Sequence, residues 1–308
     1  MVTGCALVSK QWLHVISDRC KLSLTRNHDH SKMQGQFLQN IATLKVEKRR
    51  SDSVVFDCKI FEWMKQLTNL SISYNNMNVE NTKYIGQLDK LINLNINGNA
   101  ITHEGAKYLS ELEQLNTLHI DNCEIGVEGA KYLSEMKHLT NLNIGSNRIG
   151  VEGVKHIIGL SKLTFLDISN NKIGEEGAKY LREMRQLNNL DVSTNALRQQ
   201  GIEYISEMKQ LTSLSIAVNL IGVEGAKHIS EMTQLTKLNM NCCNIGVEGV
   251  KHIINMKQLK HLIISGNNIG NKGCELILDL EQLTFLNIEN NNIDVEGIAY
   301  IASGRLKT

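Results

Sequence analysis

The stretch that decides the fold is residues 139–162, LTNLNIGSNRIGVEGVKHIIGLSK. Its residues 142–144 alternate apolar, polar, apolar, which is the pattern of a short strand with one buried face. Val154, Ile157 and Leu160 then recur at three-residue spacing, as on the apolar stripe of a helix. The segment therefore predicts a strand, a loop and a helix, in that order.

The same pattern recurs with a period of 24 residues, without insertion or deletion, from Leu67 onward. Ten units follow, opened by Leu67, Leu91, Leu115, Leu139, Leu163, Leu187, Leu211, Leu235, Leu259 and Leu283. Neighbouring strands lie about 4.8 Å apart, whereas packed helices need about 10 Å, so a column of such units must curve with its strands inside. We expect a horseshoe with a parallel sheet on its concave face and helices on its convex face.

The opening of each unit, L-x-x-L-x-[IVM]-x-x-[NC], resembles the leucine-rich repeat family. The middle of some units, G-A-x-x-L-[AS], is similar to the GALA-type subclass, whose repeats also have 24 residues. The resemblance implies the fold class α/β, a right-handed leucine-rich-repeat solenoid. We assign residues 67–308 to ten repeats in one array, because a solenoid can grow by adding units and remain one domain.

The ninth position of the repeat is always Asn or Cys. After the strand the backbone turns inward and its amides lose their ladder partners, so a buried carboxamide that donates and accepts between successive turns satisfies them. We interpret this column as structural and not catalytic, with Cys123 and Cys243 as structural thiols and not metal ligands. Its members are Asn75, Asn99, Cys123, Asn147, Asn171, Asn195, Asn219, Cys243, Asn267 and Asn291.

A glutamate marks the start of most predicted helices, where a negative charge meets exposed amides and the helix dipole, as at Glu128. Lys131 with Glu135, and Lys227 with Glu231, are four residues apart. Such pairs could form on the convex surface, where each contributes only tenths of a kcal/mol. We interpret these charges as a solvated face and not as a binding site.

The composition excludes several classes of function. The net charge is +1 and the one basic cluster is Lys48, Arg49 and Arg50, so neither nucleic acid nor an anionic membrane is an expected partner. No apolar run approaches the length of a membrane span, and no secretory leader is recognisable. The seven cysteines are odd in number, which indicates a reducing compartment and a cytoplasmic or nuclear location.

No catalytic, cofactor-binding or metal-binding constellation is recognisable in the sequence. His156, His228 and His252 alternate with tyrosine at one helix position, which marks them as residues of an amphipathic helix. Cys242 and Cys243 are adjacent, but neighbours on a strand end point opposite ways, so a shared metal is not expected. We expect a protein that is not an enzyme and needs no cofactor.

The region before Leu67 departs from the repeat. Residues 5–18, CALVSKQWLHVISD, resemble the last helix of an F-box, whose signature is V-C-K-x-W. Ser9 replaces the usual cysteine, and the opening L-P-x-E helix is missing. We assign residues 1–20 to a partial F-box-like helix and residues 21–66 to degenerate N-terminal repeats or a cap.

The F-box-like helix is predicted to carry an apolar stripe that could bind a partner. Val8, Trp12 and Ile16 recur at four-residue spacing on the predicted helix. The resemblance implies that they are the remnant of a surface that binds a Skp-type adaptor. The alternative is that Trp12 is a packing residue of an N-terminal cap.

Binding is expected on the concave sheet, where the residues between the buried aliphatics face solvent. Most of them are small and polar. Two regions depart from this pattern. The centre is acidic, with Asp121, Asp167 and Asp191, and the C-terminal end is apolar, with Ile263 and Phe285. Exposed aromatic and aliphatic side chains on a polar sheet are typical binding anchors. The candidate protein-binding residues are Phe165, Asp167, Asp191, Lys237, His261, Ile263, Phe285 and Glu289.

These observations predict a protein-recognition module that binds a protein substrate on its concave face. The F-box resemblance implies more narrowly the substrate receptor of an SCF-type ubiquitin ligase, with a Skp-type adaptor as a second partner. The alternative is a stand-alone scaffold or regulatory binding protein with no link to ubiquitin.

Overall fold

The computed structural model describes the chain in three stretches. The described backbone comprises residues 20–26, 41–48 and 58–302, and the described side chains are those of residues 41–46 and 58–299. The F-box-like segment, with Val8, Trp12 and Ile16, lies outside the described residues. The chain divides into two compact units, Met1–Asn147 and Arg148–Thr308, which we call the first and second units.

The first unit alternates short strands with helices. Its strands are β1 (Cys20–Arg26), β2 (Ile41–Lys48), β3 (Asn69–Ser71), β4 (Asn93–Asn95), β5 (Thr117–His119) and β6 (Asn141–Asn143). Its helices are α1 (Val79–Ile85), α2 (Thr102–Leu109) and α3 (Gly126–Leu133), with a 3-10 helix at Cys58–Trp63. Strands β2 to β6 pair in chain order and run parallel.

The second unit has the same alternation. Its strands are β7 (Phe165–Asp167), β8 (Asn189–Asp191), β9 (Ser213–Ser215), β10 (Lys237–Asn239), β11 (His261–Ile263) and β12 (Phe285–Asn287). Its helices are α4 (Gly150–Ile157), α5 (Gly174–Leu181), α6 (Arg198–Ser206), α7 (Gly222–Ser230), α8 (Gly246–Ile253), α9 (Gly270–Ile277) and α10 (Val295–Ala302). Strands β7 to β12 pair in chain order and run parallel.

The predicted α/β leucine-rich-repeat solenoid is confirmed. Each unit has a parallel sheet whose strands alternate with helices, and the apolar repeat positions lie between them. In the repeat quoted above, Leu142, Ile144, Ile149 and Ile157 are all fully buried. Leu160 differs from the prediction, because it is buried beyond the end of α4 and not on the helix itself.

The asparagine column forms a ladder between successive repeats. Asn195 is 1% exposed, and its Nδ2 donates to the carbonyls of Ile168 in the preceding repeat, at 3.0 Å, and Val192 in its own repeat, at 3.1 Å. Its Oδ1 accepts from the backbone amides of Asn171, at 2.8 Å, and Ile173, at 3.4 Å. One side chain therefore satisfies backbone groups of two successive repeats, which would otherwise be buried without partners.

The two cysteines in this column donate but offer no comparable acceptor. The Sγ of Cys243 donates to the carbonyl of Ile216 at 3.3 Å, as the Sγ of Cys123 does to that of Ile96. Burial raises the pKa of both thiols to about 12. They are therefore protonated at neutral pH and are poor nucleophiles and metal ligands in that form.

The predicted glutamates lie in the first turns of their helices, but the lysine pairs differ from the prediction. Lys131 Nζ lies 3.3 Å from Glu128, three residues before it, and Lys227 likewise pairs with Glu224 at 3.7 Å. The expected partner Glu135 lies beyond the end of α3, so it is not on the same helical surface as Lys131. These pairs are exposed and contribute little to stability.

The first unit also contains one antiparallel pair of strands. Strand β1 runs antiparallel to β2, with Leu22 opposite Val46 and Leu24 opposite Leu44. These four apolar residues alternate with polar ones along both strands. The antiparallel direction was not predicted, because alternating apolar residues indicate a buried face and not the direction of the strand.

Candidate protein-binding face

The solvent-facing side of the second unit's sheet, which we call the sheet face, is built from three columns of side chains. Strand registry brings residues 24 positions apart side by side, so each column contains one residue from each repeat. The first column is Phe165, Asn189, Ser213, Lys237, His261 and Phe285, and the second is Asp167, Asp191, Ser215, Asn239, Ile263 and Asn287. The third is Ser169, Ser193, Ala217, Asn241, Ser265 and Glu289.

Six of the eight predicted binding residues line one shallow depression of about 210 Å³ in this face. They are Phe165, Asp167, Asp191, Lys237, His261 and Ile263. The shortest side chains of the lining, Ser213 and Ser215, belong to β9 in its middle. The depression thus has an acidic side towards β7 and β8, and a cationic and apolar side towards β10 and β11.

The acidic side consists of two carboxylates in register. Asp167 and Asp191 are neighbours on β7 and β8. Asp191 Oδ1 accepts from the Ser193 amide at 2.9 Å, and Asp167 Oδ1 accepts from the Ser169 amide at 3.0 Å and its hydroxyl at 2.7 Å. Burial raises the pKa of the Asp191 carboxyl above its ordinary value, and the negative charge of Asp167 raises it further.

The opposite side of the depression continues into an aromatic stack. His261 and Phe285 are in register on β11 and β12, and their rings stack with centroids 4.1 Å apart and an interplanar angle of 7°. Lys237 is the register neighbour of His261 on β10. Ile263 adds a half-buried aliphatic side chain beside the stack, and Phe285 remains 45% exposed.

The described residues do not neutralise the charges of Lys237, Asp167 and Asp191 on this face. None of the ion pairs among the described residues involves Lys237, Asp167 or Asp191. The two sides of the depression therefore carry opposite charges that a ligand could complement.

The other two predicted residues, Phe285 and Glu289, do not line the depression. Glu289 is exposed after β12 and, together with Phe285 and Ile298, lines a second hollow in the last repeat. Asp121, which the sequence grouped with the acidic centre, belongs to the first unit.

Two apolar residues beside the face were missed by sequence reasoning. Val218 and Leu220 follow β9 and are 46% and 72% exposed. Both have left-handed backbone, with φ of 58° and 49° respectively. Most other repeats carry Asn, Gly, Ser or another polar residue at one or both of these positions, so the signal was the apolar residue in a turn position.

The described stretches contain no group of three or more His, Cys, Asp or Glu side chains arranged to hold a metal ion. Within the same stretches, no helix has the length and apolar composition needed to cross a lipid bilayer.

Comparison with known proteins bears on this geometry. A family model described as a leucine-rich repeat region matches residues 59–248, and a second leucine-rich repeat model matches residues 256–278 and 282–302. No curated protein matches the chain significantly. The crystal structure of an internalin (InlF) from Listeria monocytogenes is similar in fold, with a TM-score of 0.54 and 21% identity over 88% of this chain and 87% of that chain.

The repeat-region match spans more than half of the chain. It coincides with the repeats whose strands, buried leucines and asparagine ladder are described above. The chain belongs to the leucine-rich repeat family, whose members are protein-recognition scaffolds.

Proposed function

We propose that the sheet face of the second unit binds a protein partner, and that Phe285, His261, Ile263 and Lys237 form the main contact. The observation that carries the proposal is the exposed aromatic stack beside an uncompensated cation. Aromatic side chains that are partly exposed on a rigid scaffold supply large apolar area at low entropic cost, which is why they dominate binding hot spots.

The fold supports a binding role for this face because it holds the face in a fixed arrangement. Side chains of the face project from strands that are fixed by a ladder of buried hydrogen bonds. A partner therefore meets groups that are already ordered, and association costs little reorganisation. The depression is open and shallow, which suits an extended protein segment better than an enclosed small molecule.

The proposal includes a narrower function, the substrate receptor of an SCF-type ubiquitin ligase. Its support is the F-box-like residues 5–18 ahead of a repeat array with GALA-like units. The alternative remains a stand-alone scaffold or regulatory binding protein. A cytoplasmic or nuclear location is part of the proposal, and the free thiols of Cys58, Cys123, Cys242, Cys243 and Cys274 are consistent with it.

The first experiment tests the face. The tagged chain captures proteins from a cell extract, and quantitative mass spectrometry compares it with two double variants. We expect Ile263→Asn with Phe285→Asn to lose a specific partner, because the substitutions remove the apolar anchors. Lys131→Ala with Lys155→Ala, on the helix side, should retain it. If the helix-side variant loses the partner and the face variant keeps it, the proposed site is wrong.

A second experiment tests the narrower function. A purified Skp-type adaptor is titrated against the chain expressed with its upstream coding sequence, and binding is measured by calorimetry. Binding that Trp12→Ala weakens would support the F-box assignment. An extended chain that ignores the adaptor would favour the stand-alone scaffold.

A further inference from the structure

One anionic, one cationic and one apolar group of the sheet face lie on alternate strands. Asp191 lies on β8, Lys237 on β10 and Phe285 on β12. Neighbouring strands are about 4.8 Å apart, so these groups follow one another at intervals of about 9.6 Å, measured across the strands. Asp191 is also offset along the strand from Lys237, by a distance that a long lysine side chain can span.

The neighbouring strands β7, β9 and β11 contribute to the same sites or leave room. On β7, Asp167 adds a second carboxylate beside Asp191, and on β11, Ile263 adds apolar area beside Phe285. On β9, Ser215 is held by its neighbours, since its hydroxyl lies 2.8 Å from that of Ser193 and accepts from Asn239 Nδ2 at 3.1 Å. The face therefore presents three contact points, anionic, cationic and apolar, in a row.

An occupant must present three complementary side chains on one side at this interval. A polyproline II helix has three residues per turn and rises about 3.1 Å per residue, so side chains at i, i+3 and i+6 share one side at steps of about 9.3 Å. In an extended strand, residues i and i+3 point to opposite sides. An α-helix repeats at i+7 with steps of about 10.5 Å, and over two steps it departs from the row about three times as far as polyproline II does.

We propose that the partner contacts this face with a polyproline II segment that carries a basic, an acidic and an aromatic or aliphatic residue at i, i+3 and i+6, in either chain direction. The basic side chain lies between Asp167 and Asp191, the acidic one at Lys237, and the apolar one against Phe285 and Ile263. This inference rests on the proposed protein-binding function and specifies the partner's chemistry.

Charge complementarity is the reason for the order of the motif. A cation over the carboxylates compensates the repulsion between Asp167 and Asp191, which are in register without a cationic neighbour among the described ion pairs. An acidic group at Lys237 forms an ion pair that the described residues do not supply. The reversed charges would place like charges together at both points, which costs affinity.

The test uses fluorescein-labelled synthetic peptides and fluorescence anisotropy with the full chain. The matched peptide is PPRPPEPPFPP, and the control PPRPEPFPPPP has the same composition with the contacts two residues apart. We expect the matched peptide to bind at least about tenfold more tightly, since the control cannot place both charges at once. Equal affinity for the two peptides would overturn the inference, as would tighter binding of a helical peptide with the same residues at i, i+7 and i+14.

A charge reversal identifies the contact point. Lys237→Glu should prefer PPRPPRPPFPP over the matched peptide, because the acidic residue at i+3 now meets a like charge. Lys162→Glu, which changes an exposed lysine outside the three columns, should keep the original preference. An unchanged preference in Lys237→Glu would overturn the placement.

The outcome separates this inference from the proposed function. If no peptide binds but Ile263→Asn with Phe285→Asn still loses its captured partner, the face binds protein and the polyproline II inference is wrong. If that double variant keeps the partner, the proposed function itself is wrong.

Discussion

The two units have the same interior and different sheet faces. In the first unit most face side chains are small and polar, with His119 and Asp121 as exceptions, and several bond to one another, as Asn93 Nδ2 does to Asn69 Oδ1 at 2.6 Å, and Ser73 Oγ to Asn95 Oδ1 at 2.7 Å. In the second unit the equivalent columns carry carboxylates, a lysine and a stacked aromatic pair. The same scaffold therefore supports two faces of different chemistry, and the second is the one for which we propose a protein ligand.

The difference teaches which positions the fold constrains. Buried leucines and ladder asparagines are the same in both units because the hydrogen bonds and packing of the repeat require them. First-column face residues meet no such requirement, since strand pairing uses only the backbone, whereas an Asn or Asp of the second column accepts from the backbone amide two residues on. Departures from small polar residues in the first column, such as Lys237 and Phe285, are therefore not required by the hydrogen bonds of the repeat.

The largest expected effect is the loss of stability when a ladder asparagine is removed, and it should be similar in the two units. We expect Asn99→Ala in the first unit and Asn195→Ala in the second each to lower the free energy of unfolding by about 3 kcal/mol, because several buried backbone groups lose their partner. Chemical denaturation measures the loss. Asn188→Ala, at an exposed position, is the control and should change it by less than about 0.5 kcal/mol. Equal losses in Asn188→Ala and Asn195→Ala would invalidate the registry.

Replacing the cysteines of the asparagine column should raise the free energy of unfolding in both units, by less than the loss expected for the asparagine variants. Asn at this position accepts from two amides of the preceding repeat, as Asn267 Oδ1 does from Cys243 and Ile245. At Cys243 the thiol donates and no carboxamide oxygen is present for the Asn219 amide. We expect Cys243→Asn, and Cys123→Asn likewise, to add about 1 kcal/mol to the free energy of unfolding. Cys274→Asn is the control, since Cys274 lies on a helix, and a similar gain there would contradict the explanation.

The turn after β9 in the second unit should become more stable when Leu220 is replaced by the asparagine found at the equivalent position of the first unit. Leu220 has a φ of 49°, and Asn76 occupies the equivalent position of the first unit with a φ of 55°. Because asparagine tolerates left-handed backbone, we expect Leu220→Asn to raise the free energy of unfolding by about 0.5–1 kcal/mol. Leu220→Ala keeps the strained backbone and should gain less. Thermal denaturation distinguishes them, and an equal gain would mean that the strain is not the cause.

The smallest effect depends on pH. Because the folded-state pKa of Asp191 is raised above 3.8, the ionised carboxylate destabilises the folded chain. The stabilising contribution of the protonated form is complete below the unfolded pKa and is lost as the pH rises through the folded pKa. Asp191→Asn, which copies Asn95 of the first unit, should therefore raise the thermal midpoint at pH 7.

The control for Asp191→Asn is the same comparison of thermal midpoints at low pH. Near pH 3, where the native carboxyl is protonated, we expect the two midpoints to converge. A gain in Asp191→Asn that persists unchanged at low pH would show that the charge of Asp191 is not responsible.

The sequence was sufficient for the interior because the repeat fixes its own register. Once residues 24 apart are stacked, the buried status of Asn195 follows, and so does the contact between Asp167 and Asp191. The parallel stacking of rings between His261 and Phe285 did not follow, since it depends on side-chain torsions that no pattern encodes.

The failures of sequence reasoning have a common physical origin in chain geometry between the regular elements. The pairing of Lys131 with Glu135 was wrong because α3 ends at Leu133, before the glutamate. The exposure of Leu220 was missed because an apolar residue in an apolar repeat looks like core until its backbone torsion is known. Helix ends and turns are the positions where local sequence is least informative.

The asparagine ladder also has a direction, and this affects how the chain is made. Each ladder oxygen accepts from amides of the repeat that precedes it, so a repeat is completed only by the one that follows. On a ribosome, 24 residues take about 1–5 s to synthesise. Folding during translation should therefore lag one repeat behind the emerging chain, with the newest turn held open until the next asparagine arrives.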